Sequence, residues 1–249
     1  MAQFKTFIAV GVAAAALAAA AQAQTLVHDS KPSAAVTAAV ADAGRPAADT
    51  ARDENRKPAQ ILGVAGVKPG QTVVELGSGG GYYTRILAKA VGPTGKVIAI
   101  VGAQPPGAAD RMKPLADALP NLSIVTDDMT KMANVVGQAD VVWTTENYHD
   151  FHNRLDMAAF NKAMFNTLKP GGIFLVEDHA AAPGAGATVT GTLHRIEPVT
   201  VRDEVTAAGF KLVRTSDVLV NPADNHAGQN AEQSIRGHTD RFVYVFQKP

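Results

Sequence analysis

Between Thr72 and Ala90 the chain reads TVVELGSGGGYYTRILAKA, and no other stretch limits the fold so tightly. Val73 and Val74 open an apolar run, Glu75 follows, and glycines occupy positions 77, 79, 80 and 81. From Tyr82 onward the hydrophobic period lengthens from two to about 3.6, with Ile86, Leu87 and Ala90 on one face. The pattern predicts a buried strand that enters a tight turn and leaves it as a helix. Glycine suits such a turn because it accepts left-handed backbone angles and lets a ligand approach the main chain. Unpaired N–H groups at the start of the helix then face whatever lies above the turn. A dinucleotide fingerprint would require a small residue at position 82, where this chain has Tyr82, and no lysine follows to make a phosphate loop. A glycine-rich turn that binds nothing is the alternative at this point.

The spacing Glu75-x-Gly77-x-Gly79-x-Gly81 resembles motif I of the class I S-adenosylmethionine-dependent methyltransferases. The LKPGG run at 168–172 and the AAGF run at 207–210 resemble the same family. The segment RPAADTARDENRKPA from Arg45, followed by GVKPGQTVVEL, is similar to an exported group within it. The resemblance spans residues 42–249 and implies a doubly wound α/β fold. Its sheet would be mostly parallel and seven-stranded, with an antiparallel last strand. The implied cofactor is S-adenosylmethionine, held by Glu75, Gly77, Ser78, Gly79, Gly81 and Thr145, with Asp127 or Asp128 at the adenine. In the family an acid closes the second strand and binds the ribose; here that place falls on Val101, with Gln104 a neutral substitute nearby. Losing a hydrogen bond to a charged group, about 1.5–3 kcal/mol, would weaken the cofactor roughly ten- to a hundredfold.

Ligands of open α/β sheets lie beyond the carboxyl ends of the strands. The strand 139–144 exits into Thr145-Glu146-Asn147-Tyr148-His149-Asp150-Phe151-His152-Asn153, the densest group of functional side chains in the chain. The resemblance places the methyl acceptor here, with Asn147, Tyr148 and His149 as the catalytic candidates. His149 is the expected general base, since an imidazole titrates near working pH. Methyl transfer is an in-line displacement at a sulfonium, so alignment contributes most. The same residues offer two other readings. His149, Asp150 and His152, joined by Glu146 or His179, carry N and O ligands for zinc or iron. Helix capping and solvation would also account for them, and no metal ligand is assigned.

The remaining chain supplies secondary expectations. Helices are expected over 110–119, with Pro114 in the first turn, and after Asp127 and Asp128, with Met129 and Met132 facing the core. The polar run 221–240 reads as a lid, a binding loop or a disordered segment. Around Arg45–Lys57 the charges repeat at helical spacing, with Pro46 at the first helical position. They suit either a solvated face with i,i+3 and i,i+4 pairs or a lid that turns Asp49, Arg52 and Asp53 toward a ligand.

Lys5, the alanine-rich run 7–21 and Ala21-Gln22-Ala23 read as a signal peptide cleaved after Ala23, placing the chain in a periplasm or outside the cell. The expected division is therefore signal 1–23, helical extension or lid 24–60, and methyltransferase-like domain 61–249. A formal charge of zero gives no nucleic-acid footprint, and the absence of cysteine excludes disulfides and thiolate chemistry. The expected partner is a small-molecule substrate, with no membrane contact after signal cleavage; oligomeric state is left open. Besides the methyltransferase, two other functions fit these features. One is a non-enzymatic nucleoside-binding module, which Val101 and export both favour, and the other a metal-dependent enzyme built on 146–152.

Overall fold

The computed structural model describes residues 25–26, 31–101 and 107–249, so the expected signal peptide and Gln104 lie outside the described residues. Strands β1 (Thr25–Leu26), β2 (Thr72–Leu76), β3 (Lys96–Val101), β4 (Leu122–Thr126), β5 (Ala139–Thr145), β6 (Leu168–His179), β7 (Lys211–Ser216) and β8 (Arg241–Gln247) form one sheet. Their order is β1-β7-β8-β6-β5-β2-β3-β4. From β4 through β6 neighbours run parallel, and β8 is antiparallel to both β6 and β7. Apart from the two-residue β1 at the edge, this is the expected seven-stranded arrangement. β2 pairs with β3 on one side and β5 on the other, so the chain reverses its direction of winding there. That switch point is where an open sheet leaves a crevice.

Alternate residues of each strand point to opposite faces, and each face has its own core. On one side α1 (Ala34–Val40) is followed by two single turns, α2 (Ala47–Thr50) and α3 (Asp53–Arg56), then by α4 (Pro58–Ala65), α5 (Tyr82–Val91) and α6 (Ala108–Ala118). Val36, Ile61, Leu62, Ile86 and Leu87 bury themselves there against Val73, Val97 and Trp143. On the other side lie α7 (Tyr148–His152), α8 (Met157–Thr167), α9 (Thr190–Leu193) and α10 (Pro198–Ala207). Tyr148, Phe160, Met164, Val201 and Val205 pack on Val74, Val142, Phe174 and Phe246. Each such side chain contributes about 1.5–3 kcal/mol by leaving water. Asp156 caps α8 by accepting from Ala158 N and Ala159 N, while Pro58 opens α4 and left-handed Gly66 closes it. Among the described residues no helix is long and apolar enough to cross a membrane.

Four local expectations are corrected. Pro46 is the residue before α2 rather than its first helical position. Pro114 sits inside α6, not in its first turn, so that largely exposed helix lacks an internal hydrogen bond. No helix follows β4. Asp127 accepts from Asp128 N and Asn134 N, and Asp128 from Thr130 N, so turns replace the helix. The LKPGG run lies within β6, and the pairing with β5 shifts register there, from Ala139↔Leu168 to Val141↔Ile173.

The polar run 221–240 is ordered, and a buried arginine organises it. Arg195 donates to Asp224 at 2.7 Å, to Ala180 O and to Gly228 O. Asp224 in turn accepts from Asp240 N at 2.6 Å.

Candidate functional site

The turn after β2 has the conformation its glycines permit. Gly77, Gly79 and Gly81 have φ of 68°, 54° and 85°. A side chain at Gly77 would strike Asn147, 2.6 Å from the place of its Cβ, and one at Gly81 would strike Leu115 at 2.4 Å. At Gly79 and Gly80 a Cβ would meet nothing within 4 Å, so these two residues face open space. Above them is a hollow of about 190 Å³ with Glu75, Gly77, Ser78 and Gly79 on its floor and Thr145 and Asn147 on its wall. A second cavity of about 440 Å³, toward α6, shares Gly79 and Gly80. The hollow alone is smaller than the ~300–1,000 Å³ of most ligand sites, whereas the two together fall inside that range.

Glu75 is the unusual group in this hollow. It is 3 % exposed, and its carboxylate accepts from Thr84 Oγ1 at 2.6 Å without a basic side chain as partner among the described residues. Burial pushes its pKa up to about 7, and the Thr84 and Ser78 hydroxyls offset part of that. The Ser78 hydroxyl is itself buried without a well-formed hydrogen bond. A carboxylate and a hydroxyl short of partners, beside free main-chain N–H groups, suit a ligand with cationic and anionic ends such as an amino acid. These residues fit the methionine end of S-adenosylmethionine.

The N-terminal extension covers the hollow through tertiary contacts. Tyr82, the residue that excludes a dinucleotide fingerprint, is its anchor. Its hydroxyl donates to Asp53 at 2.6 Å, and Arg45, Arg52 and Arg56 stand 5.4, 4.9 and 4.8 Å from its ring. Arg45 also pairs with Asp53 at 2.7 Å; burial would raise that carboxyl's pKa, but the Arg45 and Tyr82 hydrogen bonds leave it below its ordinary range, and Arg85 pairs with Asp49 at 3.0 Å. Asp49 and Asp53 are thus engaged with protein groups. Arg52 and Arg56, rather than the acids, are therefore the groups of the extension that face the hollow.

Beyond the hollow lies a cavity of about 570 Å³ bounded by Arg52, Arg56, Glu146, His179, Arg236 and Arg241. Arg52, Arg56 and Glu146 belong to both spaces. Glu146, in the left-handed region at φ 55°, is held between Arg56 and Arg241. Arg241 also reaches Glu177 at 3.4 Å. Burial raises the Glu177 pKa, and Arg241 and Arg56 pull it back. His179 is driven the other way, well below the usual imidazole value, by burial and then by the positive charge of Arg241. It is neutral at neutral pH, with Nδ1 engaged by Thr239 Oγ1 at 2.7 Å.

The residues singled out from the sequence separate into distinct places. Glu75, Gly77, Ser78, Gly79, Thr145 and Asn147 line the hollow, while Gly81 forms the turn behind it. The Asn147 amide donates to Gly77 O at 3.2 Å, fixing strand exit to turn. Asp127 and Asp128 stand beyond β4, their oxygens occupied by the turns described above. Tyr148 points away from both cavities. It is fully buried beside Phe160, donating to Glu204 and accepting from Asn161, because α7 turns that face into the core. His149 is 1 % exposed and borders neither cavity. Its Nδ1 is 2.7 Å from Asp178 Oδ1, and although burial lowers its pKa, the carboxylates of Asp178 and Asp150 leave it raised overall. His152 is drawn off to Glu204 at 2.8 Å. Arg52, Arg56, Arg236 and Arg241 were not foreseen as one cluster, since they come from opposite ends of the chain.

Residues 73–172 match the family described as a methyltransferase domain. No curated protein matches the chain. Among solved structures, a SAM dependent methyltransferase from Aquifex aeolicus has a TM-score of 0.57 at 19% identity, over 79% of this chain and 90% of that one. A geranyl diphosphate methyltransferase in complex with SAM has a TM-score of 0.58 at 12% identity, over 90% and 99% of the two chains. The 4+2 cyclase SpnF has a TM-score of 0.55 at 15% identity, over 90% and 88%. The architecture is therefore the Rossmann-like methyltransferase fold, and residues 73–172 within it match a methyltransferase domain. The cyclase shows that the fold by itself does not fix the reaction.

Proposed function

We propose that the chain transfers a methyl group from S-adenosylmethionine, held over Gly77–Gly81, to a small acceptor carrying an acidic group in the arginine-lined cavity. The observation that carries this is the adjacency of the two spaces, which share part of their lining. The glycine hollow and the larger cavity meet at Arg52, Arg56 and Glu146. Bound there, the cofactor supplies an electrophilic methyl on a sulfonium and departs as a neutral thioether. Glu75 would face its cationic end, and the turn N–H groups its carboxylate. Arg52 and Arg236, which form no ion pair within 4 Å among the described residues, would hold the acceptor's negative charge. Tyr82 and Tyr83 close the hollow against water. His179, neutral and with Nε2 free of protein hydrogen bonds among the described residues, replaces His149 as the group placed to take a proton from the acceptor.

The N-terminal sequence and its likeness to the exported group support a periplasmic or secreted location, which cell fractionation with an antibody to the chain would test. The comparisons lend nothing to the readings as a non-catalytic module or a metal-dependent enzyme.

Titration with S-adenosylmethionine and with its demethylated product tests the cofactor site. Trp143, the only tryptophan, is buried with its ring 5.1 Å from that of Tyr83, a wall of the hollow, so its fluorescence should report occupancy. Micromolar binding of both compounds is expected. Gly79→Val should abolish it, because a branched side chain at φ 54° is strained and projects into the hollow. Calorimetric silence at millimolar ligand with a folded chain would remove the proposal.

A further inference from the structure

The buried histidine that the methyl-transfer site does not use belongs to another group of ligands. α7 places His149 and Asp150 beside His194, the residue that ends α9 in the left-handed region at φ 52°. His149 Nε2 is 3.7 Å from Asp150 Oδ1, and His194 Nδ1 is 3.3 Å from the same oxygen. One ligand atom from each of the three residues lies within 4.8 Å of the others. A tetrahedral shell with bonds of ~2.0–2.2 Å spaces its ligand atoms about 3.4 Å apart, so small rotations suffice to close it.

The support behind His149 argues for a ligand rather than a chance cluster. Asp178, wholly buried, accepts from His149 N at 2.8 Å and from His179 N at 2.8 Å, and it faces His149 Nδ1 at 2.7 Å. This network assigns the ring proton to Nδ1 and leaves the Nε2 lone pair facing Asp150 and His194. A carboxylate on the far nitrogen is how metal-binding histidines are oriented and made more basic. His194 holds a backbone angle that non-glycine residues seldom adopt, as residues at binding sites often do.

We propose that His149 Nε2, the Asp150 carboxylate and the His194 ring bind one divalent transition-metal ion of the zinc class. Two neutral imidazoles and one carboxylate favour zinc, cobalt, nickel or copper over magnesium and calcium, which take oxygen shells. The ion would tie α7 to the end of α9. His194 O accepts from the Asn230 side chain at 3.3 Å, and Asn230 lines the arginine-rich cavity, so the tie would also brace that wall. Methyl transfer is not routed through the ion, and the site stands whether or not the cofactor reading does. His152, expected in such a set, is excluded by its bond to Glu204.

The untagged chain, stripped with a chelator, is titrated with Co²⁺ while visible d–d absorption is followed, then challenged with Zn²⁺. One equivalent should give a saturating spectrum that zinc displaces. His194→Ala and Asp150→Asn, both at partly exposed positions, should weaken binding about tenfold or more, and Asp178→Asn by 10–100-fold. His152→Ala should leave it unchanged. Circular dichroism confirms that each variant is folded. A folded parent chain without a saturable cobalt spectrum, or parent-like affinity in either His194→Ala or Asp150→Asn, overturns the site.

Discussion

Glu75 and Glu177 are carboxylates buried near the carboxyl ends of β2 and β6, two strands apart in one sheet, and they are stabilised in different ways. Glu177 has Arg241 at 3.4 Å and the positive charge of Arg56 nearby. Glu75 has hydroxyls, no paired cation among the described residues, and a pKa pushed up to about 7. On the rim of the larger cavity the protein supplies the counter-charge, whereas at the turn it supplies only hydroxyls, and the proposed site leaves that role to a ligand. A rim complete in itself can hold its shape without a ligand. A turn that is incomplete gains from binding, since a cationic group arriving at Glu75 relieves a desolvation cost already present.

The largest expected effect comes from making the two alike. Arg241→Met strips the rim of a cation that contacts both Glu146 and Glu177. Removing one partner of a buried ion pair costs about 3–5 kcal/mol, because the other charge is left behind. Denaturant unfolding at pH 8 should show a loss of that size. Arg241→Met combined with Glu177→Gln should recover most of it, since the stranded charge is then gone. If the double variant is as unstable as the single one, the arginine acts through packing and the contrast between the two acids fails.

Next in size is the pH response of Glu75. Between pH 4.5 and about 7 the folded chain retains a proton there that the unfolded chain has lost. Native chains bind more protons than unfolded ones in that window, so stability falls as pH rises through it. At 1.36 kcal/mol per pKa unit the fall is about 3 kcal/mol. Glu75→Gln, which keeps an acceptor for Thr84, should flatten this part of the profile and be more stable than the parent at pH 8. Its affinity for S-adenosylmethionine should drop at the same time. Equal pH profiles for the variant and the parent would show that Glu75 already has its counter-charge.

The same contrast explains what could be read from the residues alone. The turn is built from neighbours in sequence, so its strand, its glycines and its helix declare themselves in nineteen letters. The seven-stranded, mostly parallel sheet was what the family resemblance implied, carried by the glycine turn and the LKPGG and AAGF runs. On the rim, Arg56, Glu146, His179, Arg236 and Arg241 meet only because β8 inserts between β6 and β7 and the extension folds back over β2. Spacing carries no signal for such a meeting. His149 and Tyr148 lie outside the two cavities for a related reason. A polar cluster at a strand exit shows that side chains are concentrated there, but the rotation of a single short helix decides which of them face the cavity. Tyr82 could have been found, since an aromatic residue directly after a glycine turn needs something to pack against. Its partners were the charges of the extension.

The smallest effect probes the turn from its far side. Val101 ends β3 at the place where the family carries an acid, and it is 9 % exposed. An aspartate there would accept from ribose hydroxyls, a charge-assisted bond worth about 1.5–3 kcal/mol. Val101→Asp should therefore tighten S-adenosylmethionine by roughly ten- to a hundredfold in calorimetry. The gain should be absent for methionine, which carries no ribose. Without ligand the variant should be less stable than the parent, because it adds a second poorly solvated carboxylate to the side of the sheet where Glu75 already lacks a cation. Such a reciprocal change would mean that this side of the crevice is tuned by how much counter-charge it leaves to the ligand. Tighter binding of methionine as well would instead place position 101 next to the amino-acid end, reversing the direction in which the cofactor lies over the glycines.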